Sequence, residues 1–185
     1  MRLSIGVGGG GVSGDNHVRS DIRKVDLSSG GFGTSIAIGG ALGENLILNA
    51  DFFHATIFNP SVTVDGGFAG DADNLDPALG DIGVGQDTEL IGLGAGVTYY
   101  FMPVNLYLAG SVGLGQVAFT DSRKGGREGS NLGLGLNFMV GKEWWVAMDW
   151  GVGVAGQLIV LRATDDILGD VSGLAANIMF SATYN

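Results

Sequence analysis

Two histidines, His17 and His54, are the only side chains in this sequence whose unperturbed proton chemistry falls near neutral pH. A general base needs a nucleophile or an activated water beside it. His17 lies in a polar stretch with Asp15 and Asp21, and His54 follows Asp51 by three positions. No serine stands in a recognisable nucleophile motif. The chain is therefore expected not to be an enzyme, and lipid modification centred on His54 is the catalytic alternative. Metal chemistry has one candidate, the acidic run Asp71, Asp73, Asn74 and Asp76. A calcium loop of the EF-hand kind needs glycine at its sixth place and glutamate at its twelfth, which here are Asp76 and Ile82. That motif fails, leaving weak surface binding of a cation or a hydrated loop. With no cysteine, disulfide staples and thiolate sites are excluded, and no cofactor is expected.

The nine basic residues oppose nineteen acidic ones, a net charge of -10 that argues against a nucleic-acid partner. Six of the bases are nonetheless concentrated: Arg19, Arg23 and Lys24 in one polar segment, Arg123, Lys124 and Arg127 in another. Such groups suit the phosphates of lipopolysaccharide, although neighbouring acids could neutralise them instead.

These side chains need a scaffold, and the scaffold is written in alternation. The 185 residues suit one domain of 1–185, with 35 glycines, 45% hydrophobic residues and only 15% charged ones. No run of 18 apolar residues is present, so the apolar content is dispersed rather than collected in a membrane helix. Period-two alternation predicts eight strands near 2–12, 32–42, 45–60, 88–101, 105–120, 130–141, 145–163 and 171–184. The second and third are joined by Gly43 to Asn45, the fourth and fifth by Met102 to Val104, the sixth and seventh by Gly141 to Glu143. The remaining connections, 13–31, 61–87, 121–129 and 164–170, are polar and mostly longer. Strict alternation of short and long connections predicts an all-β, eight-stranded, antiparallel up-and-down transmembrane barrel. Its short turns would be periplasmic and its long loops external.

One face of each strand is leucine, valine and phenylalanine; the other is glycine, alanine and amides, with almost no lysine or glutamate to solvate it. A lipocalin-like barrel would need charge on its outer face, so the apolar face is expected to meet lipid and the small face the lumen. The lumen would then hold a polar network of Arg2, Asn49, Asp51, Tyr100, Tyr107, Ser111, Asn137, Asp149, Gln157, Asn177 and Ser181. Buried carboxylates need partners, so Arg2, the strand base with inward parity, is expected to approach Asp149 or Asp51. Inward glycines would make room for Phe53, Tyr100, Tyr107, Met139 and Met179. Tyr99, Phe101, Trp144, Trp145, Trp150, Phe180 and Tyr184 fall near the short-turn rim and would form an aromatic girdle. By the same parity His54 would face outward near the other rim.

The stretches "GLGAGVTYYFMPVNLYLAGSVGLG", "LGLNFMVGKEWWVAMDWGVGVAGQ" and "NIMFSATYN" carry a resemblance. The chain resembles the small outer-membrane β-barrel family of the OmpA/OmpX type, and is similar to barrels of myxobacteria and related proteobacteria. The likeness spans nearly the whole barrel but not 13–31 or 61–87. It implies a location in the outer membrane of a Gram-negative bacterium and says nothing of activity. One departure is that such barrels commonly end in an aromatic residue, whereas Tyr184 here precedes Asn185. Residues 2–5 run straight into alternation without a signal-peptide core, so an export signal is expected to have been removed. The leading expectation is a non-enzymatic, monomeric membrane anchor whose outer loops meet lipopolysaccharide or an external partner. A narrow solute or ion channel through the glycine-lined lumen is the alternative.

Overall fold

The structure, a computed structural model, describes residues 1–18, 21–65, 67–71, 87–121, 126–165 and 169–184. The side chains of 15–18, 21–23, 67–69, 71, 121, 126–128 and 165 are outside that description. Eight long strands close a ring: β1 (Arg2–Val18), β2 (Asp21–Ala41), β3 (Leu46–Phe58), β6 (Asp87–Phe101), β7 (Leu106–Asp121), β9 (Gly133–Trp145), β10 (Trp150–Asp165) and β11 (Gly169–Tyr184). Each pairs antiparallel with its neighbours, and β1 closes the ring on β11. Three short strands sit outside the ring: β4 (Ser61–Val64) on β2, β5 (Gly67–Asp71) on β4, and β8 (Gly126–Gly129) on β7. The eight-stranded antiparallel architecture expected from alternation is the observed one. Among the described residues no helix is long and apolar enough to cross a membrane.

The register gives the shape of the ring. Ile57 pairs with Gly31, which pairs with Gly8, and the chain of partners continues through Asn177, Gln157, Met139, Ala109 and Thr98 back to Ile47. One circuit therefore descends ten residues along β3, the difference between 57 and 47. For eight strands such a stagger means strands tilted by about 40° and a bore that side chains can fill. A strand so tilted climbs about 2.5 Å per residue, so an apolar band about 25 Å tall takes roughly ten residues. At 17 and 21 residues, β1 and β2 run well beyond that band.

Here the sequence expectation needs correction. Much of 13–31, read as a loop, is strand, because Val25 and Leu27 continue the buried face while Lys24, Asp26 and Ser28 stay on the other. The turn expected at Gly141 to Glu143 lies instead at 146–149, and β9 and β10 remain paired through Trp145 and Gly151. At the turn after β6, Asn105 has φ 53°, a left-handed conformation that asparagine tolerates better than most residues.

The outward face is apolar all the way round. Leu3, Ile5, Val7, Leu93, Val97, Val112, Leu114, Leu134, Phe138, Val152, Leu174, Ile178 and Phe180 are all exposed. A contiguous belt of that size has no place in water, and in lipid it is the favourable surface. Closure leaves no sheet edge in the ring, which is what hydrocarbon demands of a spanning sheet. The chain is a transmembrane barrel.

Candidate functional site

The bore has two halves with different chemistry, and the change shows most clearly along the inward faces of β3, β10 and β11. Moving away from the short-turn rim, β3 passes from Asn49 and Asp51 to Phe53, Ala55 and Ile57. β10 passes from Gln157 to Ile159, Leu161 and Ala163, and β11 from Asn177 to Ala175 and Val171. The outer half is thus an apolar cluster that also takes in Val12, Leu27, Leu90, Val117 and Phe119. Phe53, Leu90, Ile159 and Leu161 are fully buried in it.

Inward glycines are what let these side chains lie across the bore. A Cβ at Gly92 would strike the ring of Phe53, and one at Gly173 would strike Leu90. At Gly141 it would stand 2.6 Å from the Tyr107 ring, and at Gly115 2.7 Å from Leu161. Each large residue has its own glycine on another strand. Each such glycine leaves the space that the large side chain fills.

The inner half combines polar side chains with a second, smaller buried cluster of Tyr107, Met139, Ala155 and Met179. Asp51 accepts hydrogen bonds from Ser35 Oγ at 3.0 Å, Ser111 Oγ at 2.6 Å and Asn137 Nδ2 at 2.8 Å. Three neutral donors disperse its charge, which is how a carboxylate is held in a buried site without an ion pair. Asn177 donates to Gln157 Oε1 at 3.0 Å, and Asn49 to Thr98 Oγ1 at 3.2 Å. Closer to the rim, Glu143 accepts from Thr183 Oγ1 at 2.7 Å and from Tyr100 OH at 3.0 Å. Tyr100 and Tyr107 sit with ring centroids 5.6 Å apart, and the Arg2 guanidinium carbon lies 4.5 Å from the Tyr107 ring centre.

Two sequence expectations fail here for one reason. Asp149 is exposed in the 146–149 turn and takes no place in the lumen; Glu143, expected to be in a turn, is the fully buried inward carboxylate. Nor does Arg2 form an ion pair with Asp149 or Asp51 among the described residues. Trp145 is also displaced from the expected girdle. It pairs with inward Gly151 and lines the mouth of the lumen rather than facing lipid. Tyr99, Phe101, Trp144, Trp150, Phe180 and Tyr184 are exposed, with Tyr99 edge-on to Phe101 and Trp150 against Tyr184.

On the outward face His54 has neighbours that its sequence context did not show. Thr34 Oγ1 is 3.5 Å from Nδ1, Thr56 Oγ1 is 3.3 Å from Nε2, and Glu89 Oε2 is 3.9 Å from Nε2. Phe32 stands edge-on to the imidazole at 5.9 Å. These hydrogen bonds are at the long limit of the normal range. They mark where the outward face turns from Leu48, Ala50 and Phe52 to polar residues, at the top of the apolar band.

Of the bases expected on the outer side, Arg19, Arg123 and Lys124 lie outside the described residues, as do the side chains of Arg23 and Arg127. Lys24 is exposed, and its Nζ lies 3.3 Å from Asp26 Oδ2. Arg162, not singled out in the sequence, is exposed on the outward side beside Leu132, Asp170 and Ser172. The side chains of His17 and Asp71, and all of Asp73, Asn74 and Asp76, also fall outside the description.

No family model and no curated protein matches the chain. Solved structures do. Neisserial surface protein A superposes with a TM-score of 0.56 at 12% identity, over 98% of this chain and 97% of that one. OprG, an outer-membrane protein of Pseudomonas aeruginosa, gives a TM-score of 0.52 at 14% identity, over 100% and 96%. Identities this low carry the fold alone. With the ring, the stagger and the apolar belt, they show that this chain has the fold of the small eight-stranded outer-membrane β-barrels.

Proposed function

We propose that the protein is a non-enzymatic, monomeric anchor in the outer membrane of a Gram-negative bacterium. Its outer segments contact lipopolysaccharide or an external partner. The observation that carries this reading is the bore itself. An apolar cluster fills its outer half, so the polar inner half has no hydrated continuation toward the outside. What such a barrel offers the exterior is the part of β1, β2 and β4 that rises past the apolar belt, with the exposed Lys24 on it. The channel reading finds support only in the polar inner half. The His54 group fits this account as a polar station at the headgroup level, where imidazole and hydroxyls meet wet lipid.

The test is binding of the refolded barrel to lipopolysaccharide vesicles. Replacing Arg19, Arg23, Lys24, Arg123, Lys124 and Arg127 together with glutamine should weaken binding by at least about tenfold, roughly 1.4 kcal/mol. The remaining binding should depend less on salt. Unchanged affinity and salt dependence would remove lipopolysaccharide phosphate from the proposal.

A further inference from the structure

At the short-turn end the lumen opens into a cavity of about 470 Å³, whose chemistry changes with depth. Ala41, Ile47, Met102 and Trp145 line the entrance together with Glu44 and Asn45, while the more buried Arg2, Asn49, Thr98 and Tyr100 lie further in. Arg2 is the unusual member. It is 94% buried, its exposure being 6%, and its Nε has no hydrogen-bond partner among the described residues. No hydrogen bond or ion pair to the guanidinium is found there either; its close neighbour is the Tyr107 ring. The nearby carboxylate, Glu143, is already held by Tyr100 and Thr183.

A buried guanidinium nitrogen without an acceptor is costly, and arginine's fork of donors matches a carboxylate's two oxygens. We propose that this recess binds an amphipathic carboxylate entering from the short-turn side. The carboxylate would rest against Arg2 and the apolar body would lie along Ile47, Met102 and Trp145. The apolar part of the entrance above a cationic floor selects such a molecule over an inorganic anion, which would gain nothing from Ile47, Met102 and Trp145. It also selects against a neutral alcohol, which would leave Arg2 unmatched. This site is separate from the outer surface and does not depend on what that surface binds.

The experiment uses the whole barrel in nanodiscs, with Trp144→Phe and Trp150→Phe so that Trp145 alone reports. The probe is octanoate, and octanol of the same chain length controls for partition into lipid. The expected result is a saturable fluorescence change with octanoate and only a linear one with octanol. Arg2→Gln should weaken the octanoate response by tenfold or more. Ala41→Phe, at an exposed rim position, should weaken it through the entrance while leaving Arg2 in place. A heat-dependent gel shift would confirm that each variant is folded. An octanoate response that is linear, or equal in the parent and both variants, would overturn the proposal.

Discussion

At the scale of single residues, the inward glycines decide how the bore is filled. Gly92 and Phe53 show the principle, since a Cβ on one would overlap the ring of the other. Gly92→Val should therefore destabilise the barrel by about 1–3 kcal/mol, the usual cost of overpacking. Adding Phe53→Leu should recover part of that loss. Urea unfolding of the lipid-refolded variants measures both, and strict additivity of the two changes would show that the pair does not share one space. The sequence displayed the alternation of glycine with large residues but not which glycine serves which ring. That assignment depends on register between strands far apart in the chain. Gly141 shows the consequence. Beside Lys142 and Glu143 it reads as a turn glycine, whereas its structural role is to accommodate Tyr107. Moving the turn to 146–149 takes Asp149 out of the lumen and puts Glu143 in.

Strands present the same lesson in a different form. Face parity was legible because one buried or lipid-facing side chain per two residues is a property of the local sequence. The strand ends were less so. Above the membrane an outward face can be polar, so β1 and β2 continue through 13–18 and 21–31 where composition suggests a loop. The inward Val25 and Leu27 were the available signal. Conversely, the 146–149 turn reads Val-Ala-Met-Asp, with Asp149 as its one turn-favouring residue. Parity makes a direct prediction for β7, where exposed Val112 lies six residues from the strand's start at Leu106, near the middle of the belt. Val112→Arg should cost about 2–4 kcal/mol of stability in bilayers, the range for a base at the lipid midplane. Asp149→Arg, in the exposed turn, should cost little. Chemical unfolding in vesicles measures both, and equal costs would contradict the placement of the belt.

On the scale of the whole molecule, one circuit of the register descends ten residues, and that stagger sets a bore narrow enough to be filled by its own side chains. The filling is divided, with a hydrogen-bonded layer around Asp51 toward the short-turn rim and the cluster around Phe53, Leu90 and Leu161 beyond it. The fold and membrane-facing surface could be read from alternation, whereas this division could not, because it arises from residues brought together by closure of the ring. It bears directly on the proposed function, since a bore stopped by an apolar layer would serve as an anchor rather than a channel. The most direct test is conductance in planar bilayers, with folding established beforehand by the gel shift. A folded, inserted barrel should be electrically silent at moderate voltage; discrete, reproducible current steps would contradict the closed bore.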